Sequence, residues 1–135
     1  MSPGYEADMG YDKVNLHDVT DSAAEHGFGE LQEARFPREA VGTETTGFAL
    51  IRVKPGQRQP FAHRHGEAEE VHIVLSGTGT MKIDDELVAV GPLDVVRVDP
   101  GSARAFEAGE EGLEYLVFSP RHAGDAEMVK DFWEG

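Results

Sequence analysis

Cysteine is absent from this chain of 135 residues, which excludes disulfides and thiolate metal sites. Long apolar runs are missing too, and no stretch approaches the roughly 20 residues of a membrane helix. Basic residues are scarce, with 12 Lys and Arg against 26 Asp and Glu and a formal net charge of −14. Such an acidic surface repels phosphate backbones and anionic lipids, so neither nucleic acid nor membrane is an expected partner. The segment Met1 to Glu6 has no basic start and no apolar stretch of the secretory type, and a cytoplasmic location is expected. Internal repeats and low-complexity tracts are also lacking.

What is present suits one compact domain. Residues 1–29 read as a loose arm followed by a short helix, with Thr20-Asp21-Ser22 as its cap and Gly27 as its stop. From Glu30 the pattern changes to short apolar or alternating runs. These are Leu31–Phe36, Gly47–Val53, Pro60–Ala62, Val71–Leu75, Gly79–Ile83, Glu86–Val90, Asp94–Val98, Ala103–Ala108 and Leu113–Phe118. Turn residues separate them, among them Ser76-Gly77, Asp84-Asp85, Gly91-Pro92 and the stretch from Gly109 to Gly112. Many short strands at this spacing predict an all-β sandwich or barrel over residues 30–120. Residues 121–135 read as a C-terminal tail, in which Met128 to Trp133 form a short helix or an extended segment that docks its aromatics.

Chemistry concentrates in His63-Arg64-His65-Gly66-Glu67-Ala68-Glu69-Glu70. Side chains alternate along a strand, so His63 and His65 face the same way. With a carboxylate from the next strand they form a two-His, one-carboxylate set. Such a set takes a divalent transition metal, Fe, Mn, Ni or Zn, and leaves positions open for water or ligand. The plainer alternative is a polar hairpin with surface histidines. Glu69 and Glu70 face opposite ways. Apolar alternation at Val71, Ile73 and Leu75 favours Glu69 as the inward residue, whereas a strand buried on both faces permits either.

The spacing of these residues resembles the cupin family. Gly56, His63, His65, Glu70 and Gly77 follow the first family motif, with one extra residue after Gly56. The second motif is matched by Gly91-Pro92-Leu93-Asp94 and by Asp99-Pro100-Gly101-Ser102-Ala103-Arg104. The resemblance covers roughly residues 45–120, and its six-residue gap before Gly77 selects Glu70 over Glu69. It implies a double-stranded β-helix, a jelly-roll barrel with short helical segments at its ends. It also implies a small-molecule pocket inside the barrel and a homodimer. Val71, Ile73 and Leu75 would then pack against the N-terminal segment or a second subunit.

Cupins with complete metal sites carry a third histidine where this chain has Arg104. Arginine stays protonated and does not ligate metals. Three roles are open at this point. Arg104 holds an anionic group of the ligand beside a metal on His63, His65 and Glu70; or it pairs with Glu70 in a metal-free pocket; or His72, on the face of Glu70, supplies the missing imidazole. His72 otherwise lines the pocket and contacts ligand. The expected function is a metal site that binds or transforms a small, anionic organic molecule. As an enzyme it would catalyse an oxygenase- or isomerase-like step. The alternative is a metal-free binding module.

Overall fold

The computed structural model describes residues 10–120 and 125–134. A 3-10 turn at Leu16–Asp18 leads to helix α1 (Ser22–Glu25), where the Asp21 carboxylate accepts from the amides of Ala23 and Ala24. The same Asp21 oxygen accepts from Ala34 N at 2.9 Å, which ties the helix to strand β1 (Gln32–Arg35). A second short helix, α2 (Arg38–Val41), ends on Gly42 in the left-handed conformation. The sequence pattern does not announce it; it is a single turn between two strands.

Six strands follow: β2 (Thr46–Val53), β3 (Ala62–His65), β4 (Glu70–Ile83), β5 (Glu86–Val90), β6 (Val95–Val98) and β7 (Arg104–Pro120). All pairings are antiparallel. Strands β4 and β7 are long enough to belong to both faces of the barrel. The first half of β4 lies between β6 and the second half of β7, which pairs onward with β2 and β1. The second half of β4 lies between β5 and the first half of β7, which meets β3 at Arg104. This is the expected double-stranded β-helix.

Alternation fixes what faces inward. Ala49, Ile51 and Val53 of β2 are buried whereas Arg52 is exposed. Val53, Val74, Met81, Phe106 and Leu113 are at most 1% exposed. Burial of each such side chain contributes about 1.5–3 kcal/mol. In β4 it is Glu70, His72 and Val74 that are buried, while Leu75 is exposed. The family spacing therefore gives the right register, and apolar alternation alone gives the wrong one.

The breaks expected at Ser76-Gly77 and Gly109–Gly112 are bends within continuous strands. The register of β4 on β7 shifts between Val74 and Ser76 and again between Gly77 and Gly79, as at β-bulges. Gly77 has φ +77°, and a Cβ there would lie 2.0 Å from the carbonyl oxygen of Gly112. Gly77→Ala is expected to lower stability by about 2–4 kcal/mol, from left-handed strain plus backbone overlap. A urea denaturation midpoint equal to wild type would refute this.

The C-terminal segment is extended as far as Val129 and then turns, with Glu134 N donating to the carbonyl of Asp131. Strand β8 (Ala126–Val129) pairs with β3 from Ala62↔Val129 to His65↔Ala126. Beyond it, Phe132 and Trp133 pack on Ala62, Ala103 and Ala105, and Trp133 Nε1 donates to the carbonyl of Gln59 at 3.1 Å. Among the described residues no helix is long and apolar enough to cross a membrane.

Candidate metal centre

Three strands deliver the site. Strand β3 turns His63 and His65 to one side, β4 opens on Glu70 followed by His72, and β7 opens on Arg104 opposite His63. His65 Nε2 lies 2.9 Å from Glu70 Oε2, and His63 Nε2 lies 3.4 Å from Oε1. His72 Nε2 is also 3.4 Å from Oε1, and Arg104 Nη1 is 3.6 Å from it. One buried carboxylate is thus ringed by three imidazoles and a guanidinium.

Electrostatics follow from that ring. Burial raises the Glu70 carboxyl, but hydrogen bonds and charge from His63 and His72 outweigh it and hold the group well below the usual carboxylate range. Burial likewise presses Arg104 down from the ordinary guanidinium value, with the charges of Glu70 and Asp84 opposing. Arg104 is 1% exposed. Its Nη2 donates to the carbonyl of Asp99 at 3.1 Å, while Nε and Nη1 have no hydrogen-bond partner.

The donor set fits a metal ion. One ligand atom each from His63, His65 and Glu70 lies within 4.8 Å of the other two. Donors sharing an ion at about 2.0–2.2 Å lie roughly 3–4 Å apart, so the spacing suits a common ion. Two imidazoles and a carboxylate, without sulfur, match borderline divalent transition metals. His72 is not in that three-residue set.

A residue without any local sequence signal completes the surroundings. Asp125 lies just before β8, far from His65 in sequence. Its carboxylate accepts from the backbone amides of Gly66, Glu67 and Ala68 at 2.8–3.0 Å and so clasps the loop that joins β3 to β4. Burial raises the Asp125 carboxyl, but these three amides and the nearby His65 outweigh it and lower it overall. Its Oδ2 is 3.6 Å from His65 Nδ1, the nitrogen turned away from Glu70.

Two cavities reach Glu70. One, of about 370 Å³, is lined by His63, His72, Gln59, Tyr115, Phe28 and Phe61 among others. The other, of about 690 Å³, is lined by His65 together with Asp18, Glu25, Arg38, Glu39 and Phe48. Ser22, Phe36 and Val117 border both. Arg104 lines neither. His17 lines a third, small hollow that neither His63, His65, Glu70 nor His72 borders, and Arg97 is exposed beside Glu69 and Asp99. His122 lies outside the described residues.

An eight-stranded jelly-roll barrel with paired histidines and a carboxylate at its mouth defines a class of small β-barrel proteins. The model of the cupin domain family matches residues 49–119, more than half of the chain, and this protein belongs to that family. No curated protein matches it. Solved structures do. A putative sugar phosphate isomerase from Acidithiobacillus ferrooxidans is 29% identical with a TM-score of 0.64, over 74% of this chain and 66% of that one. This chain therefore spans just under two-thirds of that protein. A polyketide cyclase from Streptomyces resistomycificus is 20% identical with a TM-score of 0.71, over 90% and 85%. Streptomyces PAC13 with uridine is 16% identical with a TM-score of 0.68, over 87% and 90%. These last two likenesses establish the fold alone.

Proposed function

We propose that this cupin holds a divalent transition metal on His63, His65 and Glu70 and binds or transforms a small organic molecule in the adjoining cavity. The observation that carries the reading is the convergence of two imidazole Nε2 atoms on one buried carboxylate where both cavities end. Bound there, the ion would supply Lewis acidity to an oxygen of the ligand. The chain's own residues orient and enclose: His72 lines the cavity wall, and Phe28 and Phe61, in edge contact at 5.5 Å, exclude water. The structural relatives are named for isomerisation and cyclisation of organic molecules, which accords with a small-molecule site.

Arg104 is best read as the counter-charge of Glu70. It is buried, lines neither cavity, and stands 3.6 Å from the carboxylate. That proximity also favours a second reading, in which the guanidinium substitutes for the ion and the pocket is metal-free. Elemental analysis of protein purified without chelators separates the two. Near-stoichiometric Fe, Mn, Ni or Zn supports the first, and metal at background level overturns it.

Asp125 bears on the same reading as a positioning residue. Carboxylates behind metal-bound histidines fix ring orientation and raise ligand basicity, and their loss costs about 10–100-fold in metal affinity. Asp125→Asn removes the charge behind His65 and keeps one acceptor oxygen, but its NH2 then faces a loop N–H, because both carboxylate oxygens accept from the loop. The expected result is a fall in metal affinity of about 10-fold or more, with a loss of stability of about 1–3 kcal/mol from the loop amide left unpaired. An unaltered dissociation constant would show that Asp125 acts on the loop alone.

The reading extends to a homodimer. Leu93 and Val95 are 78% and 63% exposed, and Val95 pairs with Ile73 on the outer face of the barrel. Leu75 adjoins them at 39% exposure, so the face offers apolar area for a second copy. Sedimentation as a monomer at micromolar concentration would remove this part.

A further inference from the structure

The smaller cavity differs from a site for phosphorylated or carboxylated ligands. Among the described residues no lysine or arginine lines it. Its one acidic wall residue, Glu70, sits at the metal end, and the larger cavity beside it carries Asp18, Glu25 and Glu39 against a single Arg38. Away from the metal end, an anion entering this space would leave water without a counter-charge, in a chain of net charge −14. The walls are instead apolar and aromatic: Phe28, Phe36, Phe61, Ile51 and Val117.

The polar groups on the wall are largely committed to one another. The Gln59 amide donates to Tyr115 Oη at 2.9 Å and to Gln32 Oε1 at 3.0 Å, and its carbonyl accepts from Phe106 N at 2.9 Å. The exception is His72. It lines the cavity, is 2% exposed, and its Nδ1 has no partner. A buried polar atom without a partner is uncommon. A volume of about 370 Å³ lies at the lower end of the usual range for small-molecule pockets, about 300–1,000 Å³.

We infer that the cavity binds a neutral aromatic ring carrying a hydroxyl or carbonyl oxygen, with the ring between Phe28, Phe36 and Phe61 and the oxygen toward His72 and the metal end. Aromatic walls favour offset or edge contacts with such a ring, and its oxygen is placed at the end of the cavity that His72, His63 and Glu70 line. Phosphorylated sugars are disfavoured by walls that carry no lysine or arginine. The inference rests on the cavity being the ligand site proposed above, and it stands whether or not a metal is bound.

The test uses two matched probes, 2-naphthol and 2-naphthyl phosphate, titrated calorimetrically into the purified chain of 135 residues before and after chelator treatment. The expected result is one 2-naphthol per chain, with the phosphate at least 10-fold weaker. Phe61→Ala is expected to weaken 2-naphthol at least 10-fold. Phe36→Ala, at a residue already 56% exposed and so safe for folding, is expected to weaken it at least 3-fold. Equal or tighter binding of the phosphate overturns the inference, as does absence of saturable 2-naphthol binding or indifference to both substitutions. Metal content measured on the same samples reports on the metal reading separately. Protein that carries no metal before chelator treatment and still binds 2-naphthol sinks that reading and leaves the ligand class standing.

Discussion

Substituting His63 or His65 with alanine is expected to strip the protein of its metal. Each substitution removes one of three protein ligands. A lost outer partner costs about 10–100-fold in affinity, and a lost ligand costs more, at least about 100-fold. Purified variants would then carry metal near background when measured by elemental analysis. Neither change should unfold the barrel. The His63 side chain is 40% exposed, and surface substitutions of that kind usually stay within about 0.5 kcal/mol. His65, at 13% exposure, lies on a short strand held on both sides by β7 and β8 through its neighbours. His72→Ala is the discriminating control, because His72 approaches Glu70 at 3.4 Å but lies outside the three-residue donor set. It should keep the metal. Loss of metal from His72→Ala alone, with His63→Ala retaining it, would transfer the third-ligand role to His72.

Much of the fold could be read from the chain because strand alternation and turn residues are local signals. The runs around Phe48, Val71 and Leu87 all fall within observed strands. Two kinds of feature escaped. Gly77 and Gly112 look like chain breaks, yet they are bends that let β4 and β7 approach closely; only the pairing of two distant glycines reveals this. Strand β8 exists because its partner β3 presents a free edge, which no pattern within residues 126–129 announces. At the site, the spacing of His63, His65 and Glu70 is local and legible. Asp125, Gln59 and Tyr115 reach the same space from distant segments, so only the folded barrel brings them together. Arg104 was legible as an anomaly but not in its role, because burial and the course of the cavity walls are properties of the fold.

Arg104→His is expected to tighten metal binding by at least about 100-fold. The guanidinium Nη1 is 3.6 Å from Glu70 Oε1, so any ion held by that oxygen lies within about 6 Å of a fixed positive charge. At that distance a unit charge opposes a divalent ion by several kcal/mol, taking an effective dielectric of about 20. The substitution removes most of this repulsion and offers a neutral imidazole in its place. It also has a structural cost: the bond from Nη2 to the Asp99 carbonyl is lost, worth about 1–3 kcal/mol for a charged donor, and the shorter side chain leaves space behind Glu70. Affinity and stability should therefore move in opposite directions. Competition against a fluorescent zinc chelator gives the first, and urea denaturation of the metal-stripped protein gives the second. An unchanged dissociation constant would mean that the charges of Glu70 and Asp84, which already oppose the burial of Arg104, cancel its field at the metal position. A different outcome would identify Arg104 as the substitute for the ion: wild type without metal and Arg104→His with a full complement. In that case the pair Arg104–Glu70 would be the resting arrangement of the pocket, and the substitution would convert a metal-free cupin into a metal-binding one.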